Sequence, residues 1–228
     1  MKFINIRTGR IAVFILCAAI IFGMARFFLN YVHEKSVLKE MISRLTADTR
    51  IAEVLVTGVN YDDFSNKIYT TIKFLEYNTA GEPLEPRYFT FTGNIIQFQS
   101  LVIRFDDCYV LKDDRLRGKS IALFMKAFML DRTDTQEYEI TKLEEVPEGY
   151  KVSKGDNAFE KKIWQRFWKY AIDPKSSNSL GIKNCQIEAP GTIFVPGILY
   201  KISIEHDGGM RIDSHPLPDI LKGEKIPG

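Results

Sequence analysis

From Ile11 to Ala25 the chain carries no charged or strongly polar side chain, and this run constrains the protein more than any other feature. It reads "IAVFILCAAIIFGMA", and Phe27, Phe28 and Leu29 prolong it past Arg26. A helix from Ile11 to Val32 would reach roughly 30 Å at about 1.5 Å per residue, the thickness of a hydrocarbon core. Arg26 then stands near one end, where its aliphatic stem lets the guanidinium reach the headgroups. Lys2, Arg7 and Arg10 precede the run with no acid among them. The positive-inside bias therefore puts the N-terminus on the cytoplasmic side and the body in the periplasm or outside the cell.

A cleaved secretory signal shares some of these marks: a basic start, a short apolar region, and Gly23 and Ala25 as small residues around a cut. Apolar character resumes after Arg26, however, and acquires helical spacing. Met24, Tyr31, Leu38 and Leu45 recur every seven residues, with Phe28, Met41 and Ile42 beside that seam. One helix leaving a membrane accounts for this better than a cleavage site. The expected organisation is a cytoplasmic start over 1–10, a transmembrane helix over 11–32 and an amphipathic stalk helix over 33–49. An extracytoplasmic domain over 50–221 and a flexible tail over 222–228 complete it. The stalk stripe of Val37, Leu38, Met41, Ile42 and Leu45 needs a cover, either its own domain or a second copy.

Three of the 31 basic residues lie in the first 25 positions, which leaves 28 against 29 acids in the remainder. A body so nearly neutral has no electrostatic footprint for nucleic acid. Of three cysteines, Cys17 lies in the apolar run, and Leu16 before it is not the small residue of a lipoprotein cleavage box. Cys108 and Cys185 form an even pair in the exported part, so a disulfide between them is possible in an oxidising compartment.

After Arg50 the pattern changes to that of strands. "RIAEVLVTGVNY" and "KIYTTIKFLEYN" are rich in β-branched and aromatic residues, and "DDFSN" between them reads as a turn. "YFTFTGNIIQFQSLVIRFDD" is two strands broken near Gly93 or one bent strand. Apolar residues on both of its phases (Ile96, Phe98, Val102 and Ile95, Leu101, Ile103, Phe105) predict a strand covered on both sides. "SIALFMKAFMLD" fits a strand or a buried helix equally well. "NAFEKKIWQRFWKYAIDP" is a clear amphipathic helix, with Asn157 and Glu160 as a capping box and Pro174 at its end. The fold expected for the exported domain is mainly β (α+β), sandwich- or barrel-like, with one amphipathic helix.

Chemistry is sparse. Gly118, Lys119 and Ser120 match the end of a phosphate loop, but Asp113 occupies the first glycine position and Asp114 adds a charge that repels phosphate. No nucleotide is expected. Asp106, Asp107, Asp113 and Asp114 lack the spacing of a helix–loop–helix calcium site. His206, Asp213 and His215 are weak metal candidates, with Asp207 beside them, yet Asp207-Gly208-Gly209 between two strand-like runs is a hairpin signal. Glu144, Glu145 and Glu148 could supply an acid/base pair only if the fold brought two of them together. Lys161, Lys162, Arg166 and Lys169 opposite the aromatics give the tryptophan helix a membrane-surface alternative, although a helix of this kind usually covers a sheet. No catalytic residue and no cofactor is assigned. The reading is a membrane-anchored binding or assembly protein of the cell envelope. Its partners would be the lipid bilayer and either another envelope protein or a copy of itself. The alternatives are a metal-dependent hydrolase using the His206 to His215 region and an apolar-ligand-binding domain.

Overall fold

The computed structural model describes residues 13–29, 32, 50–78, 80–105, 120–130, 135–151, 158–172, 182–205 and 209–218. The chain divides into two units, Met1–Met41 and Ile42–Gly228. In the first, helix α1 covers residues 13–29. Among the described residues no helix is long and apolar enough to cross a membrane; α1 itself would span about 25 Å. The expected start (1–10), stalk helix (33–49) and tail (222–228) lie outside the described residues.

The second unit is mainly β. Its elements run β1 (Arg50–Asp62), β2 (Lys67–Glu76), β3 (Arg87–Phe91), β4 (Ile95–Phe105), β5 (Ser120–Leu130), β6 (Thr135–Glu139), α2 (Ala158–Ile172), β7 (Ile182–Glu188), β8 (Gly191–Ile193), β9 (Ile198–Ile204) and β10 (Met210–Pro216). The first sheet has the order β10-β9-β1-β2-β3. The second has the order β6-β5-β4-β7, and β8 pairs with the opposite end of β4 from β7. Each sheet starts as a three-stranded meander whose first strand is later paired on its free side. The pairs are antiparallel throughout.

The run around Gly93 is two strands, and they belong to different sheets. Gly93 takes a φ of 145° where the chain crosses over, and a Cβ there would lie 2.8 Å from the Met129 sulfur. Glycine meets both demands. The ambiguous apolar run is strand β5.

Two apolar layers hold the unit together. Between the sheets lie Val54, Ile72, Phe74, Phe89 and Phe91 from the first, and Ile96, Phe98, Val102, Phe124, Ala127 and Met129 from the second. Phe74 is central, stacked on Phe98 at 5.3 Å and edge-on to Phe124 at 5.1 Å, geometries that favour the ring quadrupoles. On the far side of the second sheet Leu101, Ile103, Ile121, Leu123 and Ile182 are also buried. Helix α2 supplies their cover with Ile163, Trp164, Phe167, Trp168 and Ala171, all buried, while Lys161 and Lys162 face solvent. The architecture is therefore sheet, sheet, helix, and β4 is covered on both sides as its two apolar phases require.

Register shifts adjust several strand pairs, two of them in the middle of the long strands β1 and β5. In β1 the register passes from Val56↔Ile72 to Gly58↔Thr71, leaving Thr57 unpaired. In β5 it passes from Ser100↔Phe124 to Gln99↔Lys126, leaving Met125 extra. Each bulge moves the inward-facing phase by one residue. The edges of the sandwich are sealed by side chains. Tyr138 of β6 donates to the Thr90 carbonyl at 2.7 Å, and Gln136 accepts from the Thr92 N–H at 2.7 Å. At the opposite edge Glu188 accepts from the Met210 N–H at 2.8 Å.

Because Phe74 touches aromatic rings of both sheets, Phe74→Ala should cost about 3–5 kcal/mol. Phe64→Ala, at an exposed turn, should change stability by no more than about 0.5 kcal/mol. Urea denaturation of the two variants tests the contrast.

Candidate functional site

The candidate residues from the sequence are largely kept apart. Asp213 and His215 share one face of β10, opposite Lys201 and Leu199 of β9. Asp213 accepts from Arg211 Nε at 2.9 Å, and the same guanidinium reaches Glu205 at 2.8 Å. Arg211, Glu205 and His215 are exposed and Asp213 is partly buried. The β9–β10 hairpin forms, closed by the Glu205 N–H donating to the Gly209 carbonyl at 2.7 Å. His206, Asp207 and Gly208 at its tip lie outside the described residues. So do Cys108, Asp106, Asp107, Asp113, Asp114, Gly118 and Lys119. Among the described residues no three metal-capable side chains come together. Cys185, on β7, is a half-buried free thiol, and burial pushes its pKa up.

Two features that were not singled out from the sequence are the distinctive ones. The first is an arm. Past the bulge at Thr57, β1 and β2 continue as a hairpin whose Val59, Tyr61 and Ile68 prolong the core-facing rows and yet are exposed. Asp62 shapes the tip, accepting from the Phe64 N–H at 3.0 Å and the Ser65 hydroxyl at 2.7 Å. These bonds, the hydroxyl first, hold its carboxyl below the usual range. Asn66 closes the turn with a φ of 54°, a conformation asparagine tolerates, and its side chain meets the Tyr61 hydroxyl. The fully exposed Phe64 ring is thus presented by an ordered acidic turn.

The second feature is a covered carboxylate. Along β2 the inward phase reads Ile68, Thr70, Ile72, Phe74, Glu76, so an acid ends an apolar row. Glu76 is 8% exposed. Its cover is a 3-10 turn, Glu148–Tyr150, following Pro147. A Cβ on Gly149 would lie 3.0 Å from Glu76 Oε1 and 3.3 Å from the Tyr77 carbonyl, so the turn backbone rests directly on the carboxylate. Burial raises the Glu76 carboxyl to about 7; the Arg87 charge opposes this and the Glu148 charge adds to it. Glu148 moves the other way, lowered chiefly by its bond to Lys151. Burial, aided by Glu76, raises the Tyr150 phenol, and its hydroxyl donates to the Ala122 carbonyl at 3.1 Å. Of the three glutamates noted in the sequence, only Glu148 meets another acid. Glu145 instead offers its backbone carbonyl to Trp168 Nε1 at 2.7 Å.

The sequence signal for Glu76 was available: a charged residue in the inward phase of a strand. The arm was hidden by the bulge, which breaks the alternation at Thr57.

The pH consequence is definite. Between the ordinary glutamate pKa of 4.5 and about 7 the folded chain holds a proton on Glu76 that the unfolded chain releases. The resulting stabilisation is full at acid pH and is lost as pH rises through 7, up to about 3 kcal/mol in all. Glu148 contributes oppositely, its share being lost in acid. Glu76→Gln should therefore melt close to wild type at pH 5 and higher than wild type at pH 8, as scanning calorimetry at the two pH values would show. Compared with protein-family models, with curated proteins and with solved structures, the chain matches none.

Proposed function

We propose that the chain is a membrane-anchored, extracytoplasmic binding or assembly module of the cell envelope, with the apolar arm as its contact surface. The observation that carries this reading is α1. Its large apolar side chains are all exposed, from 53% at Ile20 to 77% at Phe14, and they occupy every side of the helix. A helix apolar all round needs an apolar medium. The segment from Ile11 to Val32 is long enough for a bilayer to be that medium, and the basic residues before it orient the sandwich away from the cytoplasm.

The arm supports a binding role. Exposed Val59, Tyr61, Phe64 and Ile68 form an apolar surface held on two paired strands. Asp62 and Asp63 at its tip disfavour an anionic lipid surface, so the partner is a protein, either another envelope component or a second copy.

Full-length chain mixed with phosphatidylcholine vesicles should float with them in alkaline carbonate, and Ile15→Lys with Ile21→Lys should abolish flotation, each lysine costing about 2.5–3.5 kcal/mol at a helix centre. Wild-type chain left in the carbonate supernatant would remove the anchor. For the arm, a photo-cross-linker at Phe64 in cells should give a discrete protein adduct that Tyr61→Ser plus Ile68→Ser weakens. An adduct indifferent to those two changes would show that the arm is not the contact.

A further inference from the structure

Residues 140–151 carry the chain from the second sheet towards α2, and they are fastened at few points. The carbonyl of the bulged Met125 accepts from Ile140 at 2.8 Å and Thr141 at 3.2 Å. The Ile140 carbonyl accepts from Arg87 Nη1 at 2.6 Å. Farther on, Glu145 is tied to Trp168 and Tyr150 to Ala122. The Tyr150 ring also packs on Trp164 of α2 at 5.9 Å. The turn that includes Tyr150 is therefore joined both to α2 and to the lid over Glu76.

We propose that Glu76 and the turn Glu148–Tyr150 form a pH-operated latch: the turn closes over the protonated carboxyl and lifts when the carboxylate ionises, loosening Tyr150 from α2. Burial is the main penalty on the charged form, and water relieves it. Glu76 keeps only 8% exposure under the Gly149 backbone, so fuller hydration follows when that backbone moves away. The surrounding groups do not supply an alternative. From β3, Arg87 provides one positive charge, already bonded to the Ile140 carbonyl. From the turn, Glu148 adds a like charge, and Lys151 is paired with it. From β1, the residue paired with Glu76 is the uncharged Ala52. Glu53 and Tyr77 bond to each other at 2.7 Å, on the opposite phase of their strands. Since burial places the Glu76 transition at about 7, the latch works near neutrality, and its opening uncovers the aromatic seam between Tyr150 and Trp164.

The chain has two tryptophans, Trp164 and Trp168, both on α2, so intrinsic fluorescence reports on this seam. Full-length chain in detergent should show a reversible red shift of emission centred near pH 7, with far-ultraviolet circular dichroism unchanged. Hydrogen exchange of residues 145–151, corrected for the intrinsic rate, should accelerate by up to about tenfold per pH unit on the approach to the midpoint and level off above it. Glu76→Gln should hold the acid-side emission to pH 9, and Glu148→Gln should lower the midpoint. Gly149→Ala, whose added Cβ would press on the carboxylate at 3.0 Å and on the Tyr77 carbonyl at 3.3 Å, should show the shifted emission already at pH 5, which keeps the test decisive if Glu76→Gln folds poorly. A transition that persists in Glu76→Gln, a red shift accompanied by loss of secondary structure, or a Gly149→Ala protein with wild-type emission at pH 5 would each overturn the latch.

Discussion

Strands β4 and β5 are apolar on both faces, and the second unit is organised around that demand. A sheet of this kind cannot leave either side in water without exposing large aliphatic and aromatic surface. One face takes the first sheet, with Phe98 and Phe124 meeting Phe74. The other takes α2, whose two tryptophans are nearly inaccessible. The segments that link these layers then have to find partners for their own polar groups. That requirement is visible in the turn at Gly93, in the edge bonds of Tyr138 and Gln136, and in the loop hung from the Met125 carbonyl.

The position of α2 explains why a buried acid is tolerated where it is. Glu76 ends an inward-facing row at the margin of the core, where the chain returning towards the helix passes over it. The cost of burial falls on ionisation rather than on folding as such, because a protonated carboxyl is a modest polar group. A serine or alanine there would be quieter. The acid makes the join between the first sheet and the helix-bearing segment sensitive to a proton.

Much of this was legible in residues. The two apolar phases of "NIIQFQSLVIRF" foretold a doubly covered strand, and "EKKIWQRFWKYAI" foretold the covering helix, because both rest on simple periodicity. "SIALFMKAFML" was undecidable for a physical reason. Ala122 and Phe124 face inward before the bulge, Ala127 and Met129 after it, so no single period runs through the strand. The same slip at Thr57 concealed the arm. Glu76 was missed differently: its phase was readable, but its lid comes from a turn more than 70 residues away in the chain, and only tertiary structure brings Gly149 to it. His206, Asp213 and His215 drew attention by residue type, while the described part of that hairpin is an ordinary antiparallel pair, with His215 exposed on β10 and Asp213 bonded to Arg211.

The extra residue at Thr57 has a consequence for how such an arm is encoded. Before it, even-numbered residues of β1 face the core; after it, Val59 and Tyr61 continue that row beyond the core, exposed. The identity of the arm's apolar side is thus written in a count of residues rather than in their composition. Were Thr57 instead paired regularly opposite Thr71, with no bulge, the strand would present Asn60 and Asp62 where Val59 and Tyr61 now stand. Deleting Thr57 would remove the bulge and keep Val59 and Tyr61 on their present face; it is the choice between a bulged and a regular pairing that decides which side the arm shows, while the sandwich beneath stays the same.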